Sequence, residues 1–448
     1  MTQARKWFRY SALNLVEHGV TRGADVLMTF AVVWGFSAES FSLLATAQAM
    51  VAPLLLFFPP VYILYKEFAG WKAKSPDTLA GYLWILRRFG LGLGQLAFVL
   101  ALIAAIYMPV GTHYWTRFWA LLWGFSLTAG INVFAPDREL LRIELKMRDL
   151  NTVTFFQKAT ALAGTLTVVF FFPGRIELLA LVMLGSVVAT ARLSYIFAAR
   201  ALREAGASED SIRGKNAPPI IPALKGMMSD FSLWNHLSGV IWNWIQSLDL
   251  FFLGFFKLPV LTLGLYSVGL KIANLSLAVP MAFGNIFAVW VGRRLGDEKE
   301  HGEEKGKLLR FSGILFAGCV LQGAALYLVA PYLISLLAHG RWDDSQRATL
   351  LHWLGWIIAG SSVFGSAFLL NWWLTLRASA SSLLARVYCP LLVLSLGTYG
   401  FTAKLKGPDG TAPANLAVAG AYLVLLLFFV IRTSQSGNEP AARSPSTR

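Results

Sequence analysis

The sequence predicts an all-α polytopic membrane protein of about twelve transmembrane helices arranged as two parallel six-helix bundles. Three observations carry that prediction. The 448 residues are 56% hydrophobic and only 14% charged, against about a quarter charged in soluble domains. Apolar stretches of about 20 residues, each enough to cross roughly 30 Å of hydrocarbon, recur along the whole length. The first two spans of each half also share a pattern, which marks a tandem repeat.

Taken in order, hydropathy places spans 1 to 6 at 11–36, 41–65, 89–109, 114–134, 150–172 and 178–199. Spans 7 to 12 fall at 231–256, 260–291, 311–337, 350–376, 383–403 and 415–431. Arg386 near its start makes the eleventh the weakest. The first span begins with Arg5, Lys6 and Arg9 as a secretory signal does, yet it carries Asn14, Glu17, His18, Arg22 and Asp25. A signal-peptide core tolerates no such residues, so it is expected to be a retained span. The expected organisation is an N-terminal half over 1–200, a linker over 201–226 with Pro218, Pro219 and Pro222, a C-terminal half over 227–432, and a disordered tail over 433–448. The segment 296–307, GDEKEHGEEKGK, reads as a solvated connector.

The net charge of +15 suggests nucleic acid until its distribution is considered. With the N-terminus in the cytoplasm, roughly 28 Lys and Arg fall on that side and about 7 on the other, as the positive-inside rule requires. Both termini are therefore expected inside, and no nucleic-acid partner is expected. Cys319 and Cys389 both lie in apolar spans and suggest neither disulfide nor metal site. The chain has no GxxxxGK[ST], HExxH, paired Cys motif or GxSxG, so the sequence points to transport and not to catalysis.

The repeat is clearest at its polar positions. Span 1 (SALNLVEHGVTRGAD) and span 7 (FSLWNHLSGVIWNWIQSLD) each place an Asn near the start and an Asp three or four turns later. The next span of each half carries a proline, Pro53 and Pro280. At about 100° per residue, Asn14, His18, Thr21 and Asp25 form one stripe, flanked by Glu17 and Arg22. Asn235, Gly239, Trp242, Gln246 and Asp249 form the corresponding stripe of span 7. Ionisable groups inside a membrane mark function by default, so the two stripes are expected to face one water-filled cavity between the halves.

Arg22 and Asp25 are close enough along the helix to pair, and a hairpin could pair Asp249 with Lys271. Structural locking of neighbouring helices is the alternative role for both pairs. Lys158 is a further candidate cation; Arg192 lies close enough to a span end to snorkel. Asn132 and Asn371 are expected to hydrogen-bond between helices. Trp242 and Trp244 sit mid-span, placed either to stack on a sugar ring or to pack; Trp7, Tyr10, Trp71, Tyr114, Trp115 and Trp342 read as an interfacial aromatic belt.

Twelve spans in two parallel halves with a polar first helix resemble the multidrug/oligosaccharidyl-lipid/polysaccharide exporter superfamily. The most specific stretch is 247–310, which runs LDLFFLGFF, LGLYSVGLKIANLSLAVPMAFGN and then a charged loop. It is similar to the seventh and eighth helices of the polysaccharide transporter (Wzx-like flippase) branch, through Asp249, Gly264, Tyr266, Lys271 and Pro280. The resemblance implies a MATE-like fold in a bacterial inner membrane. It implies a flippase for an undecaprenyl-pyrophosphate-linked O-antigen, capsule or exopolysaccharide unit, working with a polysaccharide polymerase and glycosyltransferases and with no cofactor beyond a possible coupling ion, H+ or Na+.

For such a cargo Arg22, Lys271 and Lys158 are suited to the pyrophosphate. Asn14, Asn235, Asn243, Gln246 and Asn274 are suited to sugar hydroxyls, with His18, Asp25, Trp242 and Asp249 completing the candidate substrate site. The alternative within the superfamily is a cation-coupled multidrug or metabolite antiporter with its ion site at Asp25 or Asp249. A third reading is a membrane scaffold for a polysaccharide synthase that transports nothing.

Overall fold

The computed structural model describes residues 3–51, 61–107, 113–128, 134–227, 230–256, 258–292, 301–338 and 342–433, and all of its regular structure is helical. Span 1 is Gln3–Gly35; span 2 comprises Ala38–Val51 and Tyr62–Lys74; span 3 is Pro76–Tyr107. Span 4 comprises Tyr114–Thr128 and Ala135–Ile143, followed by span 5, Met147–Phe171, and span 6, Ile176–Glu204. Span 7 comprises Asp230–Ile245 and Leu248–Phe255, and span 8 comprises Val260–Ala273 and Ala278–Gly292. Span 9 is His301–Ala338, span 10 comprises Asp344–Ser366 and Phe368–Arg377, span 11 runs Ala380–Lys406 and span 12 is Pro408–Thr433. The face of the bundle at which span 1 begins is called the near face below, and the other the far face.

Among the described residues, eight of these helices are long and apolar enough to cross a membrane. Span 1, at 33 residues, is long enough but too polar, and spans 2, 4 and 7 enter as shorter pieces. Local sequence explains the ends. Asp343 caps span 10 by accepting from Gln346 N at 2.8 Å, while the Gln346 side chain accepts from Asp343 N. Gly407, at φ 58°, makes the tight turn between spans 11 and 12.

Within the first six spans, span 1 packs on span 5, span 5 on span 6, and span 2 on span 4. Within the last six, span 10 packs on spans 9, 8 and 12, and span 11 on span 12. The two groups meet along spans 1 and 2 against spans 7 and 8. This is the seam on which any site between the halves must lie.

The segment 201–226, expected as a linker, packs on span 3: Glu209–Ile212 and Ile220–Met227 are helical, Ser208 N donates to Asp77 at 2.8 Å, and a Cβ on Gly214 would strike the Trp84 indole at 2.2 Å. The aromatic belt needs revision. Trp71 and Trp342 are packed inside instead of lying in a belt; Trp71 stacks on Tyr82 at 4.4 Å and Trp342 meets Phe30 at 6.5 Å. Trp115 is 65% exposed, as an interfacial residue is. Pro53, Asn132, 296–300 and the tail from 434 lie outside the described residues.

Candidate functional site

Four spans of the second half depart from regular α-helix. Span 7 breaks at Gln246–Ser247 between its two helices, and span 8 passes through a 3₁₀ turn, Asn274–Leu277, before Pro280. Span 10 breaks at Ala367, and span 11 contains a π turn, Leu384–Tyr388. Irregular backbone in a membrane protein survives where it is buried in protein or lines a cavity, and π turns concentrate at functional sites.

These spans enclose a cavity of about 240 Å³. From span 7 it is lined by Asn235, Ser238, Gly239, Trp242, Asn243 and Gln246; from span 8 by Leu277, Met281 and Asn285. Spans 10 and 11 add Phe368, Asn371, Trp372, Thr375 and Tyr388, and span 1 contributes Arg22 alone. Arg22 is the one formally charged side chain among the described lining residues. Asn235 is 2% exposed, and neither of its side-chain polar atoms has a protein partner. Asn371 accepts a hydrogen bond from the Tyr388 hydroxyl, so it both joins two helices and faces the cavity. Trp242 is wedged against Tyr422 at 4.6 Å and Phe364 at 5.1 Å.

The span 7 stripe therefore faces the cavity down to Gln246, but Asp249 does not reach it. Asp249 is 1% exposed and held by neutral groups: Leu250 N donates to it at 2.7 Å, the Tyr266 hydroxyl at 3.1 Å and Asn415 Nδ2 at 3.3 Å. Tyr399 donates to the same Asn415 at 2.8 Å. The expected Asp249–Lys271 pair is not formed, because span 8 carries Lys271 toward span 1.

The span 1 stripe is used differently. Asn14 donates to Ala282 O at 2.6 Å, and His18 and Asn285 are joined at 2.9 Å, so both residues fasten span 1 to span 8. Arg22 does not pair with Asp25. It donates to Met281 Sδ at 3.0 Å, while its buried Nε has no partner. Asp25 instead takes Lys158 of span 5 at 2.6 Å, and shares a small cavity of about 20 Å³ with Lys271, Thr29 and Gln48. Arg22, Asp25, Lys158 and Lys271 thus form one electrostatic group at the seam, three cations to one carboxylate. Asn274 begins the 3₁₀ turn of span 8 and lines neither cavity.

One cluster escaped the sequence. Glu17 is 3% exposed and accepts from Arg142 at 2.9 Å and from Arg138 at 3.2 Å. Arg142 also pairs with Glu139, which accepts from the Tyr65 hydroxyl at 2.5 Å, and Arg87 Nε donates to Asp137 at 2.7 Å. These residues tie spans 1 to 4 together at the near face, and the Tyr65 ring reaches Trp372 of the cavity wall at 5.3 Å. The signal was present in APDRELLRIE, whose opposite charges recur at helical spacing; hydropathy alone assigns those charges to a loop.

No protein-family model matches the chain, and no curated protein matches it in sequence. Solved structures do. A mutant of the Vibrio cholerae MATE transporter VcmN superposes with a TM-score of 0.69 at 13% identity, covering 97% of this chain and 98% of that one. The chain has the fold of the MATE transporters. An inward-facing multidrug resistance MATE family transporter of the MOP superfamily gives 0.62 at 14% identity over 95% and 99% of the two chains. The eukaryotic MATE transporter AtDTX14 gives 0.60 at 13% identity over 96% and 95%. The expected twelve-span architecture is thus the observed one. In this MATE fold the cation group lies on the seam between the two sets of six spans, and the larger cavity lies mainly in the second set.

Proposed function

We propose that the protein is an exporter that flips an undecaprenyl-pyrophosphate-linked oligosaccharide across a bacterial inner membrane. The observation that carries this reading is the excess of cations at the seam. Asp25 is the one carboxylate of the group and is ion-paired to Lys158, so three cations share a single carboxylate in a low-dielectric site where an unpaired charge is costly. An anionic headgroup relieves that cost, and the carboxylate-poor cavity beside it offers amides to sugar hydroxyls. The cavity's roughly 240 Å³ falls short of the roughly 300–1,000 Å³ of ordinary ligand pockets. A whole headgroup therefore passes only when the two halves rock apart.

The near face is assigned to the cytoplasm by its excess of Lys and Arg, with both termini there. A polysaccharide polymerase and glycosyltransferases are the partners that such a cargo requires.

The test is transbilayer movement of a polyprenyl-pyrophosphate-linked saccharide in proteoliposomes. Arg22→Gln and Lys271→Gln are each expected to slow it at least tenfold while the protein still inserts. Wild-type rates in both variants would overturn the assigned roles.

A second reading, a cation-coupled multidrug or metabolite antiporter, is favoured by Asp249, a buried carboxyl with only neutral partners. The multidrug transporter among the structural neighbours favours it too. It predicts ion-dependent efflux of cationic dyes that Asp249→Asn abolishes; absence of any such efflux removes it.

A further inference from the structure

We propose that the protein forms a two-fold dimer in the membrane through the lipid-facing side of span 3, with Gln95 of one copy hydrogen-bonded to Gln95 of the other. This surface lines neither cavity, and the inference does not depend on the cargo.

Span 3 lies on the outside of the first set, packed against spans 2 and 4 and the segment 201–226. Only 28% of its apolar stretch is buried, so most of it faces the bilayer. Gly92, Gln95, Val99, Ile103 and Ile106 are all exposed. They recur at intervals of three and four residues, which puts them on one stripe of the helix. Gln95 stands about 10 Å along the axis from Arg88 and about 18 Å from Tyr107, within the hydrocarbon layer.

An amide in that place needs a partner. Gln95 has no hydrogen bond among the described residues, and lipid tails offer none. The exposed threonines of span 5 are satisfied by their own helix: Thr152 donates to Arg148 O at 3.0 Å and Thr167 to Ala163 O at 2.9 Å. Span 9, third in the second set as span 3 is in the first, supplies a closer comparison. It also carries one glutamine, but Gln322 is turned inward and donates to Leu275 O at 3.1 Å.

A second copy of this chain completes Gln95. A primary amide both donates and accepts, so two of them close a reciprocal pair across a two-fold axis. An axis along the membrane normal sets both at one depth, whereas a different partner must carry a polar group at that same depth. Gly92 lies one turn away, and a Cβ on it would meet nothing, so an opposing backbone can come close there. Val99, Ile103 and Ile106 then pack on their equivalents. Arg88 lies over the Trp84 ring at 5.2 Å, near enough to the headgroups for salt to screen it from its counterpart. Pairing through span 3 holds the first sets of spans together and leaves the second sets free to rock.

The experiment counts subunits of the full-length, fluorescently tagged protein by stepwise photobleaching. The vesicles are of phosphatidylethanolamine and phosphatidylglycerol, over a range of protein-to-lipid ratios. The wild type is expected to bleach in two steps and to separate on dilution. Gln95→Leu is expected to weaken pairing about tenfold, and so is Gly92→Leu, which props the helices apart. Both positions face lipid, so neither variant is expected to lower the midpoint of thermal unfolding in detergent. A cysteine crosslink checks the geometry. With Cys319→Ala and Cys389→Ala in place, Val99→Cys is expected to crosslink between copies under copper phenanthroline, and Leu181→Cys, exposed on span 6, is not. A wild type that stays monomeric at every ratio overturns the proposal. So does pairing that Gln95→Leu and Gly92→Leu leave unchanged, or crosslinking through Leu181→Cys as strong as through Val99→Cys.

Discussion

Asp25 and Asp249 occupy corresponding places in spans 1 and 7, yet their surroundings are opposite. Asp25 is ion-paired to Lys158, lies near two further cations, and keeps 27% of its side chain exposed toward a small cavity. Asp249 is sealed at 1% exposure among a backbone N–H, a phenol and an amide, with no ion pair among the described residues. The sequence pattern supplies a carboxyl to each of the two spans, and the neighbouring spans decide what each becomes. Span 5 brings a lysine to the first; spans 8 and 12 bring neutral donors to the second. The first sits within a group of cations, and the second is held by neutral donors alone.

That contrast can be broken in graded ways. The largest effect is expected from Asp25→Asn, which leaves Lys158, Lys271 and Arg22 without their carboxylate. Removing one member of a largely buried pair costs about 3 kcal/mol, and Lys158→Met in the same chain should recover most of it. Thermal unfolding of the single and double variants in detergent measures the coupling; independent, additive losses would show that the pair does not act as one.

A smaller effect is expected from Gly360→Ala. A Cβ there would lie 2.9 Å from the backbone carbon of Asn415, tighter than real Cβ contacts, so span 12 must shift and Asp249 must lose its amide donor. The expected cost is about 2 kcal/mol, read from the same unfolding curves, and a neutral result would mean that spans 10 and 12 separate freely.

The smallest effect is expected from Asp249→Asn, at about 1 kcal/mol. The new amide oxygen can still accept from Tyr266 and Asn415, the hydrogen bond from Leu250 N is the one lost, and no buried cation is stranded. A loss as large as that of Asp25→Asn would place an unpaired charge at Asp249 and erase the distinction between the two sites.

The seam shows the same division between its faces. Toward the near face, spans 1 and 8 are joined by hydrogen bonds through Asn14, His18 and Arg22. Toward the far face, the first helix of span 2 packs on spans 7 and 8 through apolar and small groups: Phe41 lies where a Cβ on Gly264 would meet it at 3.0 Å, and Thr46 stands near Gly254.

Much of the candidate site was legible as residue types at helical spacing. Asn235, Trp242, Asn243 and Gln246 do share one cavity, and Arg22, Lys158 and Lys271 do converge. Their partners were not legible. Arg22 and Asp25 are neighbours along one helix, and Asp249 and Lys271 are neighbours across one hairpin, so sequence proximity suggested both pairs. Each cation instead points toward a different span. Asn285, Asn371 and Tyr388 reach the cavity because spans 8, 10 and 11 break nearby, and no hydropathy pattern reports where a helix changes pitch.

The sequence by itself determined that this chain crosses a membrane many times, that its first and seventh spans carry polar stripes, and that single lysines lie within the fifth and eighth spans. Those properties are local: each arises from the transfer cost of side chains along a single helix. Only the tertiary structure decided which charge meets which, that Asn14 and His18 fasten the seam, and that Asp249 lies apart from the cavity. Pairing inside a low-dielectric bundle is set by which helices pack together and by how each is rotated, and a one-residue change of direction moves a side chain by about 100°.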